Sequence, residues 1–223
     1  MEIDSNKYPL PKRMRHHTSP NLYFPLEDLR EKPDHYPPLY SKLDWNKYFL
    51  NKRRPDILDV GCGKGKLLLD YAEKNPDMNI MGIEVRSQPV VWLSSVIEGE
   101  LLDNAAVLWY SVVNGLPFIE SESIEKVFYL FPDPWFKYKH KKRRAFNEKT
   151  IEEFYRVLKS GACLYLASDV SEVNDYHRNL LSNFGKFLVE IADDKSWGLP
   201  ITNKEKFCRK KNIEYVRLMC LKT

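Results

Sequence analysis

The 223-residue sequence lacks several features that mark particular protein classes. Its four cysteines, Cys62, Cys163, Cys208 and Cys220, form no CxxC pair, so we expect neither a zinc site nor a disulfide framework. No apolar run approaches the ~18 residues that a membrane-spanning helix needs. The polar N-terminus has no signal-peptide core. We therefore expect a globular protein of the cytosol or nucleus, with no membrane segment.

A large excess of charge is also missing, because 35 Lys and Arg against 31 Asp and Glu leave a formal net charge of only +4. The positive charge is instead clustered in one short run. This run holds His140 and six cations: Lys137, Lys139, Lys141, Lys142, Arg143 and Arg144. Because clustering matters more than total charge for nucleic-acid binding, we predict that the run contacts phosphates. A merely solvated charged surface is the alternative.

The basic run follows a turn of unusual composition. An apolar, strand-like stretch, 127–131, leads into Pro132-Asp133-Pro134-Trp135. Each proline fixes its own φ and restricts the residue before it, so Asp133 is held on both sides. A fixed carboxylate and a flat ring beside a positive patch are suited to holding a base next to a phosphate backbone. The alternative for Trp135 is an ordinary core aromatic.

Residues 1–54 differ in composition from the rest of the chain. Seven prolines between residues 9 and 38 exclude long helices, and aromatic and basic residues lie among them. We interpret this segment as an arm that packs across the main domain or orders on a partner, with a partly disordered leader as the alternative. A short helix is predicted around 44–50. Residues 55–223 are predicted to form one domain.

Strand and helix patterns alternate after residue 55, which predicts an α/β fold with a doubly wound sheet. The predicted strands are Asp56–Val60, Asn79–Glu84, Ala105–Val112, Ile124–Phe131, Ala162–Ser168, Phe187–Ile191 and Tyr215–Leu221. The predicted helices are Lys66–Asn75, Ser87–Leu101, Asn147–Leu158, ended by Ser160-Gly161, and about Ser171–Asn183. Residues 192–214 are predicted to form a polar loop.

A glycine turn, Gly61-Cys62-Gly63-Lys64-Gly65, connects the first strand to the first helix. Glycine lets a backbone approach a ligand closely and adopt positive φ. The spacing is GxGxG, not the GxGxxG of dehydrogenases. Glu84 ends the second strand, where an acid suits a ribose diol. Because ligands of such sheets bind at the carboxyl ends of the strands, we predict a nucleotide-like cofactor site at this edge.

The motifs together resemble those of the tRNA (guanine-N7-)-methyltransferases, which use S-adenosylmethionine. The matching segments, from about Pro55 onward, are DVGCGKG (59–65), GIEVR (82–86), FPDPWFKYKHKKRR (131–144), ASD (167–169) and TNKE (202–205). The resemblance implies a Rossmann-like methyltransferase sheet of seven strands with the last antiparallel. It also implies methyl transfer to N7 of a guanine in tRNA, in the variable loop.

Roles for individual residues are implied by the same resemblance. The implied cofactor-binding residues are Asp59, Gly61, Gly63, Gly65, Glu84, Arg86 and Leu130. Asp133 is the implied catalytic acid. The implied substrate contacts are Lys137, Asp169, Thr202 and Glu205, beside the phosphate contacts expected of Lys141, Arg143 and Arg144. The family's Asp or Asn contact to adenine aligns with Ser111, and Asn114 is the alternative.

Guanine N7 carries a lone pair, so no proton must leave before it attacks a methyl group. The ring then becomes cationic, and the Asp133 carboxylate suits a group that accepts from the base and stabilises this charge. Three other functions stay open. They are an amino-group methyltransferase acting on nucleic acid, a small-molecule methyltransferase, and a non-catalytic RNA-binding scaffold.

The resemblance leaves the partners open as well. The bacterial type of the family works alone, which predicts a monomer or homodimer. The eukaryotic type needs a partner subunit built as a WD-repeat propeller. The N-terminal arm does not decide between these two types.

Overall fold

The computed structural model describes residues 1–11, 19–136 and 138–223, with the backbone alone at 138 and 139. Within these ranges seven strands form one sheet: β1 (Ile57–Val60), β2 (Ile80–Glu84), β3 (Ala105–Trp109), β4 (Ile124–Leu130), β5 (Leu158–Ser168), β6 (Phe187–Ile191) and β7 (Val216–Lys222). Their order is β3-β2-β1-β4-β5-β7-β6. Strands β1 to β5 pair in parallel, and β7 is antiparallel to β5 and β6. The predicted fold is confirmed.

Helices cover the two faces of this sheet. The described chain contains α1 (Lys66–Lys74), α2 (Ser87–Gly99), α3 (Glu148–Val157), α4 (Ser171–Phe184), α5 (Asp194–Trp197) and α6 (Asn203–Lys211). In the described ranges, none of them combines the length and apolarity that crossing a membrane requires.

Strand β1 lies inside the sheet, between β2 and β4, and all four of its residues are buried. Leu58 and Val60 pack into one core, on the face that also receives Phe154 of α3. Ile57 packs into the opposite core with Leu68 of α1. Burial on both faces explains why this strand is apolar throughout apart from Asp59, instead of alternating with polar residues. Packing therefore does not explain why a carboxylate, Asp59, is present in this strand.

The glycine loop fits its position sterically. Gly65 is the N-cap of α1, with φ +69, and a Cβ built there would lie 2.5 Å from Leu93 of α2. Both the left-handed backbone and this close approach require glycine. The third glycine of the turn therefore allows α1 to pack closely on α2, and its predicted role in binding the cofactor stays a prediction.

Several predicted boundaries are wrong. Strand β5 begins at Leu158, four residues early, because Gly161 has φ +75 and the chain continues through a register shift against β4 instead of stopping. Strand β3 ends at Trp109, since residues 112–114 turn into a 3₁₀ helix. The short helix predicted around 44–50 is a single 3₁₀ turn, Trp45–Lys47.

The predicted polar loop, 192–214, is also wrong, because it contains α5 and α6. Both helices begin with a capping box, at Asp193 and at Thr202. In this motif the side chains of the first and fourth residues each accept a hydrogen bond from the backbone N–H of the other residue. The two helices are short and polar, so their apolar periodicity is weak and only their caps mark them.

Candidate active site

Two adjoining cavities open at the carboxyl edge of the sheet. The first, of about 400 Å³, is lined by the predicted cofactor residues Asp59, Gly61, Gly63, Arg86 and Leu130. The second, of about 280 Å³, is lined by Glu84, Ser111, Tyr23 and Asp133. Gly61, Arg86, Leu130 and Phe131 belong to both walls. The fold thus brings the predicted cofactor residues and the predicted catalytic acid to one place.

Glu84 is buried at the end of β2 and accepts four hydrogen bonds. The donors are the backbone N–H of Gly63 at 3.0 Å and, from Arg86, its backbone N–H and Nε, both at 2.9 Å, with Nη2 at 3.0 Å. A carboxylate has about four acceptor positions, so Glu84 is saturated. A ribose diol that binds Glu84 must therefore replace at least one of these four bonds, three of which come from Arg86.

Asp59 is buried beside the glycine loop. Burial, with a smaller contribution from the charge of Glu84, raises the pKa of this carboxyl to about 7. No hydrogen-bond donor to the Asp59 carboxylate is found within the described ranges. A buried acid without a donor is costly by itself and is complementary to a ligand that brings one.

These residues fit S-adenosylmethionine, which carries an ammonium group and a ribose diol. Asp59 lacks the donor that an ammonium group provides, and Glu84 is a ribose acceptor once Arg86 releases it. The space beside Gly61 is open, since a Cβ built there meets no atom within 4 Å. Gly61 has φ +79, so its backbone faces the cavity without a side chain.

The turn that carries Asp133 is strained. Phe131 has φ +51 and Trp135 has φ +45, although bulky residues rarely adopt the left-handed region. Strain of this kind persists only where surrounding contacts enforce it, and it clusters at functional sites. One such contact is the Arg144 guanidinium, which donates to the Pro134 carbonyl from Nε at 3.2 Å and from Nη2 at 3.1 Å.

The Asp133 carboxylate accepts a hydrogen bond from the hydroxyl of Tyr23, 110 residues earlier in the N-terminal arm. Burial, followed by the charge of Asp133, raises the pKa of the Tyr23 hydroxyl far above its usual value. Tyr23 also contacts Trp135 edge to face, with ring centroids 4.9 Å apart. The arm therefore reaches into the site and occupies an acceptor position of the predicted catalytic acid.

Trp135 is half-buried and is not a residue of the two core clusters. Besides Tyr23, its neighbours are the His140 ring at 5.9 Å and the Arg143 guanidinium at 5.1 Å from the ring centroid. This setting on the rim of the site, among polar groups, favours the base-stacking interpretation over the core one. The stacking itself stays a prediction.

The basic run is less open than its composition indicates. Arg144 is only 6% exposed and also pairs with Glu172 at 2.8 Å, so its burial does not fit the expected phosphate contact. Lys141 pairs with the same acid at 3.2 Å. Lys142 is exposed and lies 5.5 Å from the Phe24 ring centroid. Lys137 and the side chain of Lys139 lie outside the described residues.

Ser111 and Asn114, the two candidates for the adenine contact, both hold the arm in this structure. The Ser111 hydroxyl donates to the Leu22 carbonyl at 2.8 Å, and the Asn114 side-chain oxygen accepts from the Leu26 N–H at 2.8 Å. Ser111 lines the cavity that contains Glu84, whereas Asn114 lines a separate one. The geometry therefore favours Ser111 for the adenine contact, which stays a prediction.

The Thr-x-x-Glu element is the capping box of α6. Thr202 accepts from the Glu205 N–H at 3.0 Å, and Glu205 accepts from the Thr202 N–H at 2.7 Å. Glu205 is completely buried and pairs with Arg217 at 2.6 Å, which does not fit a direct substrate contact. Thr202 lines the first cavity, and Asp169 pairs with Lys204 at 2.6 Å at its edge.

Sequence reasoning missed several residues that line the two cavities, among them Tyr23, Asn203 and Lys204. The last two follow Thr202 on α6, and the capping-box pattern in the sequence would have placed them on a helix. Nothing in the sequence around Tyr23 indicates that its hydroxyl reaches Asp133.

Comparisons with known proteins agree with this geometry. A family model described as a putative methyltransferase matches residues 53–217. The tRNA (guanine-N(7)-)-methyltransferase of Synechococcus sp. (strain JA-3-3Ab) is 31% identical over 204 residues, covering 89% of this chain and 81% of that protein. The enzyme of the same name from Microcystis aeruginosa is 34% identical over 135 residues, covering 58% of this chain and 64% of that protein.

A solved putative S-adenosyl-L-methionine-dependent methyltransferase from Methanococcus maripaludis has a TM-score of 0.54 and 17% identity, covering 75% of this chain and 77% of that chain. An identity this low supports the fold alone. The family model, in contrast, covers most of the chain, and the match to the Synechococcus protein covers 89% of this chain. The chain therefore belongs to the tRNA (guanine-N(7)-)-methyltransferase family of S-adenosylmethionine-dependent enzymes.

Proposed function

We propose that this chain transfers the methyl group of S-adenosylmethionine to N7 of a guanine in the variable loop of tRNA, with Asp133 contacting the guanine. The observation that carries the proposal is the strained turn of Asp133, placed beside the cavity of Glu84 and the basic segment. The names of the relatives supply the class of reaction.

On the cofactor side, the bound S-adenosylmethionine supplies an electrophilic methyl group. The chain contributes binding and orientation. The Asp59 carboxylate would accept from the ammonium group, and the backbone of the glycine loop leaves room for the methionine part. Glu84 would accept from the ribose hydroxyls in place of some of the bonds that Arg86 makes in this structure. These groups align the methyl group, and positioning of this kind is the main source of acceleration for a reactive electrophile.

On the substrate side, the N1–H and N2–H groups of guanine are donors that match the Asp133 carboxylate. As N7 gains a methyl group, positive charge grows on the ring, and a preorganised carboxylate stabilises it. The Tyr23 hydroxyl donates to the same carboxylate in this structure. Because Tyr23 takes one of the acceptor positions of this carboxylate, we expect the arm to compete with the incoming base for Asp133.

The direct test is incubation of the full chain with methyl-labelled S-adenosylmethionine and unmodified tRNA, followed by nucleoside analysis. We expect label in 7-methylguanosine. Label on an exocyclic amine would support the amino-group methyltransferase instead. RNA binding without any transfer would support the scaffold, and transfer only to small molecules would support the third alternative. Mapping the labelled guanine outside the variable loop would overturn the assignment of that position.

The partner and location of the chain are part of the proposal. We propose that the chain acts on tRNA in the cytosol or nucleus, either alone as a monomer or homodimer or with a WD-repeat propeller subunit. Transfer by the purified chain by itself would exclude an obligatory subunit. Light scattering of the active species then distinguishes the monomer from the homodimer, and imaging of a tagged chain checks the compartment.

A further inference from the structure

Helix α6 presents a face that begins at the first cavity and extends away from it. Asn203, Lys206, Phe207 and Lys210 stand at helix spacings of three and four residues, so they share one face. Asn203 lines the cavity, and the other three side chains are exposed to solvent. The helix therefore offers a continuous surface between the mouth of the site and its surroundings.

This face carries positive charge that no acid in the described ranges pairs with. Elsewhere on α6, Lys204 pairs with Asp169 at 2.6 Å and Arg209 pairs with Asp194 at 2.5 Å. Lys206 and Lys210, in contrast, have no ion pair within the described part of the chain. Lys204 and Arg209 thus anchor the helix to the domain, whereas Lys206 and Lys210 are available to contact a ligand.

An aromatic side chain lies between the available lysines. Phe207 is 48% exposed, and the Lys204 ammonium group lies 5.4 Å from its ring centroid. The helix does not need Phe207 for packing, because Cys208 and Glu205 form its buried side. Exposed aromatic rings among cations are typical of surfaces that bind unpaired nucleotides, where bases stack on the ring and phosphates meet the charges.

We propose that Lys206, Phe207 and Lys210 form a second RNA-binding surface, which takes part of the tRNA next to the first cavity. The inference rests on the proposed function, since tRNA is the RNA that must cover this site. The two lysines contact phosphates, and Phe207 stacks on an unpaired base. The tRNA is then held from two sides, by the basic segment beside Asp133 and by α6.

The test compares the wild-type chain with the double variant Lys206→Ala/Lys210→Ala. The matched control is Lys52→Ala/Lys74→Ala, which removes two exposed lysines near the opposite edge of the sheet, before β1 and at the end of α1. Affinity for unmodified tRNA is measured over a range of salt concentrations. Calorimetry with S-adenosylhomocysteine and melting curves establish that each variant keeps its cofactor site and fold.

For the α6 double variant, we expect the slope of log affinity against log salt to flatten by about 1 to 2, because each phosphate contact contributes about 0.7 to 0.9. The Kd for tRNA rises, whereas turnover at saturating tRNA and affinity for S-adenosylhomocysteine stay at wild-type values. The control keeps the wild-type slope. An unchanged slope in the α6 variant, or an equal loss in the control, would overturn the proposal.

Phe207→Ala tests the aromatic part separately. Loss of one stacked base weakens tRNA binding about 5- to 150-fold without changing the salt slope. Wild-type affinity in this variant would remove Phe207 from the surface. Failure of the wild-type chain to methylate guanine N7 would contradict the proposed function, while the binding slopes would still decide whether α6 contacts RNA.

Discussion

The two basic segments beside the site use their charges differently. In the segment before α3, Arg144 braces the Pro134 carbonyl, Lys141 pairs with Glu172, and the Arg143 guanidinium lies near Trp135. In α6, Lys206 and Lys210 have no ion pair in the described ranges. Among the described side chains, the denser run of cations therefore has Lys141, Arg143 and Arg144 engaged with other groups of the protein. The number of cations in a run does not measure the charge that it offers to RNA.

Each segment also depends on a buried arginine, and the two arginines differ in their partners. Arg144 pairs with Glu172, whose side chain is partly exposed. Arg217, beside α6, pairs with the fully buried Glu205 and also with the exposed Asp194. A buried charge that loses a buried partner cannot recover through solvent. We therefore expect the Glu205–Arg217 ion pair to contribute more to the free energy of unfolding. The bonds from Arg144 to the Pro134 carbonyl should contribute more to the geometry of the turn.

The largest expected effect is a loss of stability when the ion pair between Glu205 and Arg217 is broken. Glu205→Ala removes the Glu205 half of the capping box and leaves the buried Arg217 guanidinium with the exposed Asp194 as its acid partner. The free energy of unfolding should therefore fall by about 3–5 kcal/mol. Urea denaturation of the wild type and the variant measures this change. Loss of activity at wild-type stability would instead make Glu205 a residue of the reaction.

Asp133→Ala is expected to reduce single-turnover methyl transfer by about 10²–10³, since one preorganised electrostatic contact to the transition state is lost. Binding of S-adenosylhomocysteine should change little, because Glu84 is not altered. Binding of tRNA should weaken only severalfold, because the basic segments are kept and one contact to the base is lost. Asp133→Asn keeps the size and loses the charge, so it should be slow as well. Near-normal transfer by either variant would remove the carboxylate from catalysis.

Arg144→Ala tests whether the bonds from Arg144 to the Pro134 carbonyl support the strained turn. Loss of the bonds to the Pro134 carbonyl should destabilise the protein by about 1–3 kcal/mol and reduce turnover, because the strained turn loses a support. Lys142→Ala is the matched control: it removes an exposed cation and should flatten the salt slope of tRNA binding without lowering the melting temperature. If Arg144→Ala alters only the salt slope, Arg144 contacts phosphate and the difference between the two segments disappears.

The smallest expected effect is that of Tyr23→Phe. The variant removes the hydroxyl that competes with guanine for Asp133, so the KM for tRNA should fall severalfold, as expected for one hydrogen bond of about 1 kcal/mol. Tyr36→Phe loosens the same arm by removing the bond to the Phe24 carbonyl without touching Asp133, and it should have a smaller effect. A rise in KM for Tyr23→Phe would show that the hydroxyl helps to hold the base.

Local patterns were sufficient for much of the fold. The strands that end at Val60, Glu84 and Ser168 have the predicted carboxyl ends, because each is an apolar run followed by a loop. The start of β5 was not predictable in this way, since Ser160-Gly161 has the composition of a helix stop. Leu158 and Cys163, on either side of Gly161, pair with β4 and keep the chain extended through the glycine. This pairing joins segments that are far apart in the sequence.

The candidate site, like the fold, has features that the sequence predicts and features that depend on the tertiary structure. The sequence by itself determined the types of residue at the carboxyl edge of the sheet: the glycine turn, the acids Asp59 and Glu84, and the proline-flanked Asp133. Only the tertiary structure decided that Glu205 is buried, that Arg144 is a brace, that Lys206 and Lys210 remain available, and that Tyr23 reaches Asp133. The reason is physical. Backbone preference and periodicity act between near neighbours, whereas burial and ion pairing depend on segments that are brought together only by folding.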